Sequence, residues 1–471
     1  MTGGSRGIGK MSTTLDKAIK DLKAKGKAAK AASHRLAYLA TEIKNKALHN
    51  IASELLARKD AILAANKADY KDGAASGMNA AWLDRLMLNA SRIESMAQDV
   101  LTVAGLNDPA GEVFDMRTLP NGLQVGKKRV PLGVIGAIYE SRPNVTIDIS
   151  ALCLKSGNAV ILRGGREALR SNSVLAKLVQ EAATRAGVPE GAVQFIDNPD
   201  HALVKHFLQM NQYIDLMIPR GNVELIKFVA ENARMPVVTG GIGVCHTYVD
   251  KTADLKKAVA IAYNAKVSRP TVCNALDALL VHKDIAREFL PLVAAEWSKA
   301  GVARHRFSPQ VEMHCDERAM AILKPVRQAQ GKPVRQAQGK PIRQAQGKPI
   351  SGLKLKPATA SDYGKQFLAL VALVRVVDSL DEALAHIEKY GVGHSEAIVT
   401  EDYTNAMRFL NEVDAACVYV NASTRFSDGG QFGLGAEVAI STQKMHARGP
   451  MGLKELTTYK WIAFGSGQVR L

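Results

Sequence analysis

The spacing of apolar positions changes partway along the chain. From about Leu15 to Arg58, Ala- and Lys-rich turns carry apolar residues three to four apart, as at Leu36, Leu39, Ile43 and Leu48. That period predicts helix. It runs on to about Val103, and Asp108-Pro109 closes it. Leu119-Pro120-Asn121-Gly122-Leu123-Gln124-Val125 then reads as a hairpin turning on Asn-Gly. Beyond it come short continuous apolar runs at 134–138, 159–162, 193–196 and 216–218. Such runs suit parallel strands buried on both faces. A helical stretch over 168–186, stopped by Gly187 with Pro189 just beyond, separates two of them. Strand–helix–strand repetition predicts an α/β fold with a doubly wound sheet.

Composition narrows the class. A chain of 471 residues suggests two or three domains. Its 47% apolar and 23% charged shares are those of an ordinary globular protein. No window reaches the roughly 18 apolar residues of a membrane span, and no signal-peptide core opens the chain. Five scattered cysteines, none at metal-ligand spacing, argue against a disulfide scaffold or a metal site and fit a reducing cytoplasm.

The net charge of +17 is unevenly spread. Residues 1–30 hold eight Lys and Arg against Asp16 and Asp21, and residues 324–350 hold seven with no acid, which leaves +4 for the rest. The basicity belongs to an expected tail, 1–24, and an insert, so neither a nucleic-acid groove nor a membrane partner is expected. In the insert, Lys-Pro-Val/Ile-Arg-Gln-Ala-Gln-Gly repeats every eight residues from Lys324, Lys332 and Lys340. With almost nothing apolar to bury, 324–350 is expected to be disordered. Thr2-Gly3-Gly4-Ser5-Arg6-Gly7-Ile8-Gly9 matches a dinucleotide-binding turn. No strand delivers it, so no phosphate role is expected. The first ten or so residues are expected to be a non-native or mis-called start, with Met11 as the alternative.

The chemistry centres on Ser268-Arg269-Pro270-Thr271-Val272-Cys273-Asn274-Ala275-Leu276. A charge and a rigid Pro precede one thiol, and an apolar run follows. Cys273 is either a mounted nucleophile or a small core residue. Four other stretches sit after predicted strands, where α/β proteins place ligands. They are Tyr139-Glu140-Ser141-Arg142-Pro143-Asn144, Arg163-Gly164-Gly165-Arg166-Glu167, Pro219-Arg220-Gly221 and Thr239-Gly240-Gly241-Ile242-Gly243. A glycine-rich stretch, Phe426-Ser427-Asp428-Gly429-Gly430-Gln431-Phe432-Gly433-Leu434-Gly435, completes the set. Cys245 and His246 are adjacent and would point to opposite faces of a strand, which weakens them as a catalytic pair. Cys153, Cys315 and Cys417 read as structural.

In this order the motifs resemble the aldehyde dehydrogenase superfamily. Val130-Pro131-Leu132-Gly133-Val134-Ile135-Gly136, the stretch from Ala265 to Asn274, Val418-Tyr419-Val420-Asn421-Ala422-Ser423-Thr424-Arg425 and the stretch from Gln443 to Trp461 carry the resemblance as well. It covers about 25–463 apart from the repeat. It implies an NADPH-binding, Rossmann-like domain over 25–116 and 132–242, a catalytic domain over 243–450, and a β arm over 117–131 and 451–471 that joins subunits into a homo-oligomer.

The resemblance further implies Cys273 as nucleophile, forming a thioester, with Asn144 and the Cys273 N–H as oxyanion donors. It implies cofactor contacts at Arg163, Gly164, Gly165, Arg166, Glu167, Pro219, Arg220, Gly221, Gly240, Gly241 and Gln366. Gln366 stands where the superfamily has Glu. Candidates for the substrate are Arg142, Asn274, Arg425 and Arg448, and Arg269 is a local cation for the thiolate. Where hydrolytic members carry a base, this chain has Val238. The resemblance implies the branch that reduces an acyl phosphate, that of glutamate on the route to proline, and the missing base agrees with it. A functional contact with the upstream glutamate kinase is a further expectation.

Overall fold

The computed structural model describes residues 6–240, 242–299, 310–328 and 353–470. The chain forms two compact units, Met1–Thr239 with Asp428–Leu471, and Gly240–Ser427. Residues 428–450, expected with the catalytic domain, group with the first unit instead.

The first unit starts in helices, Arg6–Leu36, Thr41–Ala57, Lys59–Ala75, Ala80–Leu86 and Ala90–Gly105. The expected basic tail is thus helical from Arg6 onward, because Leu22 and Ala29 are buried and Lys30 pairs with Asp215 at 2.8 Å. Four parallel strands follow in the spatial order Val193–Phe195, Ala159–Gly164, Val134–Tyr139, Leu216–Arg220. Val134–Tyr139 and Ala159–Gly164 are buried at every position, as their apolar runs require. Helix Leu169–Ala186 buries a stripe that includes Leu175, Leu178, Val179 and Ala182, and ends on Gly187 at φ +103°. The chain builds the sheet to one side of Val134–Tyr139, then crosses to the other side with Leu216–Arg220. That reversal is a topological switch point, open at the carboxyl ends of the strands.

A separate antiparallel sheet joins Val113–Thr118, Gln124–Pro131 and Thr457–Phe464. The hairpin forms with Gly122 at φ +84°, and its first strand starts at Val113, ahead of the expected 117. Lys127 Nζ stands 4.7 Å and 5.2 Å from the ring centres of Tyr459 and Trp461.

The second unit holds seven parallel strands, ordered Lys354–Pro357, Glu312–Cys315, Val371–Val377, Leu276–His282, Cys245–Val249, Ser395–Val399, Cys417–Val420. The central strand Leu276–His282 is buried throughout. Helix Glu317–Gln328 takes in residues 324–328, which were expected in the disordered insert, and buries Ala319 and Leu323. The remainder of that expectation, 329–350, lies outside the described residues, as do residues 2–5 of the N-terminal glycine-rich stretch. No helix among the described residues is long and apolar enough to cross a membrane.

Candidate active site

Three loops at the carboxyl edge of the first unit's sheet are tied together by two glutamates. Glu140, just after Val134–Tyr139, donates its N–H to Arg220 O at 3.0 Å and accepts from Asn222 N at 2.9 Å. Glu167 accepts from both Ser141 N and Ser141 Oγ, at 2.6 Å and 2.7 Å. The bonds hold Ser141 at φ +41°, a strained backbone for a residue with a side chain. Burial raises the Glu140 pKa above the carboxylate norm. Close approach explains the neighbouring glycines. A Cβ on Gly221 would stand 2.6 Å from Glu140 Oε2, and one on Gly164 would stand 2.1 Å from Asn172 Nδ2.

The expected cofactor residues fall around this edge, in several environments. Arg163 ends strand Ala159–Gly164 at 7% exposure. Its guanidinium reaches Asp200 O at 3.3 Å, its Nε has no hydrogen-bond partner among the described residues, and burial lowers its pKa. Arg166 is exposed, and Glu167 is occupied by Ser141. Pro219 and Arg220 lie inside strand Leu216–Arg220, not in a turn. The strand is at the sheet's edge, where the missing N–H of Pro costs no ladder bond. The helix that follows, Val223–Asn232, is capped by the Asn222 side chain. Gly241 lies outside the described residues. Asn144 opens helix Asn144–Ser156, with Arg142 half-buried just before it. Arg448 is half-buried beside the short strand Gly449–Pro450.

In the second unit, Cys273 sits in a turn between helix Leu255–Val267 and strand Leu276–His282, half-buried. The loop leaves the carboxyl end of the helix and enters the strand at its amino end, and Arg269 is exposed. What holds the loop is a web of side chains. Thr424 Oγ1 donates to Asn274 O at 2.8 Å, and Asn274 Nδ2 donates to Ser427 O at 2.9 Å and Arg425 O at 3.3 Å. The Arg425 guanidinium bonds Asn274 Oδ1 and Ser268 Oγ. Asn274 and Arg425, expected at the substrate, therefore spend these groups on fixing the Cys273 turn. Gln366 is half-buried in a segment whose Leu368 has φ +51°.

Sequence reasoning missed the supports beneath this turn. Cys245 Sγ donates to Cys273 O at 3.3 Å, because burial pushes its thiol pKa far up and keeps the proton on. His246 points elsewhere, its Nδ1 2.9 Å from Glu396 Oε2, as strand alternation requires. Lys266 is fully buried, donates to Leu276 O at 2.6 Å and lies 3.7 Å from Asp277 Oδ1. Asp277 Oδ1 also accepts from Phe367 N at 3.0 Å. Burial lowers the Lys266 pKa and raises that of Asp277, and their attraction opposes both shifts. A lysine at the end of a helical pattern, two residues before the motif, was the available signal. Exposure is its usual fate, so it passed as surface charge.

Asp277→Ala strands the Lys266 charge and the Phe367 N–H. It is expected to cost about 3–5 kcal/mol of stability, the usual result of breaking a buried pair. Denaturant unfolding at pH 7 measures it, and a loss below about 1 kcal/mol would contradict the role given to the pair.

Residues 10–462 match the sequence profile of the aldehyde dehydrogenase family. The chain is 58% identical over 456 residues to "Gamma-glutamyl phosphate reductase" of Dehalococcoides mccartyi, covering 97% of this chain and all of that one. It is 51% identical to the protein of the same name in Roseiflexus castenholzii, over 94% of this chain and 98% of that one. The crystal structure of Gamma-glutamyl phosphate reductase from Thermotoga maritima superposes with a TM-score of 0.85 at 44% identity, covering 96% of this chain and all of that one. A loop-mounted cysteine in one unit, a glycine-rich switch point in the other and a profile match across nearly the whole length agree: the chain belongs to the aldehyde dehydrogenase family.

Proposed function

We propose that this chain reduces L-glutamyl 5-phosphate to L-glutamate 5-semialdehyde and phosphate, with NADPH, through a thioester on Cys273. The observation that carries the reading is the Cys273 turn, fixed from both sides by Cys245, Asn274, Thr424 and Arg425. A half-buried thiol held this way suits a nucleophile better than a core residue does. The relatives' names supply the substrate class.

The Cys273 thiolate attacks the activated carbonyl, the new C–S bond displaces phosphate, and a thioester remains. Asn144 Nδ2 and the Cys273 N–H stabilise the oxyanion in this step. NADPH, when bound, would supply the hydride for the reduction, and Cys273 would leave as the thiolate when the aldehyde forms. The first unit's loop edge fits a phosphate-bearing dinucleotide, since the Arg163 Nε is buried without a hydrogen-bond partner among the described residues and Arg166 nearby in sequence stands exposed. Arg163 and Arg166 would hold the phosphate of the adenosine ribose, and the strand end at Pro219 and Arg220 with Gly221 the pyrophosphate side. Arg142, Arg425 and Arg448 are the candidates for the substrate carboxylate. The exposed aromatics Tyr459, Trp461 and Phe464 favour the antiparallel sheet as a contact between subunits.

Val238 is buried at 3% exposure where a hydrolytic enzyme needs a base, so the thioester waits for phosphate in the reverse direction. The test is NADP⁺ reduction with glutamate 5-semialdehyde. Turnover is expected only when phosphate is present, and undiminished turnover without phosphate would overturn the reading. In the same assay Asn144→Ala is expected to lower kcat by about 10²–10³-fold, the usual cost of one oxyanion donor.

A further inference from the structure

One helical turn beyond Asn144 stands a carboxylate that none of the sequence motifs includes. Helix Asn144–Ser156 begins at Asn144, which puts Asp148, four residues on, on the same face. Asn144 Nδ2 donates to Asp148 Oδ2 at 2.8 Å. The flanking Ile147 and Ile149 are buried, and Asp148 itself keeps only intermediate exposure. The charges facing it are Asp99 on helix Ala90–Gly105, Arg220 at the end of its strand, and Arg142 just before the helix. Burial above all, with help from Asp99, pushes the Asp148 pKa from 3.8 up to about 7 against the Asn144 hydrogen bond and the two arginines.

An asparagine amide is two-ended, with two donors on Nδ2 and an acceptor at Oδ1. An ionised Asp148 can only accept. It therefore binds the Nδ2 end and leaves the second N–H of that nitrogen free to point elsewhere. A protonated Asp148 can donate to Oδ1, and the preference for one orientation is lost. We infer that Asp148 is a positioning residue, which sets the Asn144 amide so that its second N–H serves the oxyanion. The inference rests on the role proposed above for Asn144. Both groups ride on one rigid helix, where such a pair is held more tightly than on a loop.

The pH dependence has a definite sign. Asp148 ionises as pH rises through about 7, so the donor is set above that pH and loosened below it. Stability runs the other way. The folded pKa lies above the ordinary 3.8, so the fold disfavours the ionised form. The cost sets in as pH rises above 3.8 and is complete above about 7. Asp148→Asn removes that cost. It is expected to melt higher than the wild type at pH 8, with the difference vanishing near pH 4, while its kcat falls.

The experiment measures kcat and KM from pH 6 to 9 for wild type, Asp148→Asn, Asp148→Ala, Asn144→Ala and the double alanine variant. Asp148→Ala is expected to lower kcat between about 10- and 100-fold, in line with small misplacements of a catalytic group, with KM little changed. Asp148→Asn, which keeps an acceptor, falls less but loses the limb near pH 7. Its Cys273 alkylation rate keeps the wild-type pH profile, which separates the carboxylate from the thiol. On the Asn144→Ala background, Asp148→Ala adds nothing beyond about twofold. A full additional loss there would overturn the positioning role, as would an Asp148→Asn variant whose melting temperature and kcat both fall at pH 8. An Asn144→Ala enzyme with undiminished kcat would instead sink the reading of Asn144 itself.

Discussion

Cys273→Ser is expected to lose on the order of 10⁴–10⁶-fold in phosphate-dependent turnover, the scale seen when a covalent nucleophile is removed. The serine hydroxyl would occupy the same turn, fixed by the same Asn274, Thr424 and Arg425 contacts. What it lacks is an accessible anion at neutral pH, and no base stands at Val238 to make one. The melting temperature should hardly move, because serine replaces a single atom and the bonds at Cys273 O, Asn274 and Ser268 remain. Mass spectrometry adds a second readout. Wild-type enzyme mixed with the acyl phosphate, without NADPH, should carry an acyl group on the peptide containing Cys273, and the serine variant should not. Turnover within about tenfold of wild type would end the thioester mechanism.

Gly243→Ala is expected to lower kcat/KM by at least about 10²-fold without touching any reacting atom. A Cβ at this position would stand 1.7 Å from Cys273 O and 3.2 Å from Cys245 Sγ. The two nearest atoms are backbone, Cys273 O and C, so no side-chain rotation relieves the clash. The turn must move by more than an ångström, and displacements of that size typically cost about 10² in rate. Overpacking should also remove about 1–3 kcal/mol of stability. Dinucleotide binding, assigned to loops of the first unit, should stay within about twofold. An alanine variant with wild-type kcat would show that the turn can shift freely and that its rigid mounting does not matter.

Much of the fold is legible in residue pattern. The runs at 134–138, 159–162 and 216–218 became strands because a continuous apolar segment is stable only when buried on both faces, and a parallel sheet supplies both. Asn121-Gly122 turned the hairpin because glycine tolerates the φ of +84° found there. Other expectations did not hold. The basic segment before residue 25 read as a tail by charge, yet its helix is anchored by Leu22, and a few apolar contacts outweigh many solvated lysines. Residues 428–450 were assigned by their order in the chain, whereas contacts made by Thr239 to Gln443 and Thr442 group them with the first unit.

The sequence by itself determined the parallel-strand alternation, the hairpin, the stiff approach of Arg269-Pro270 to Cys273 and the apolar residue at Val238. All are local, written in residue type, period and order. Only the tertiary structure decided which partners those residues meet. It engaged Asn274 and Arg425 in holding the Cys273 turn, brought Cys245 under Cys273 O, buried Lys266 against Asp277 and set Asp148 behind Asn144. Three of these four contacts join segments that only the fold brings together, and the fourth depends on burial. A carboxylate or an ammonium has the same letter in water and in a core. Its energy, its proton and its use are set by what surrounds it.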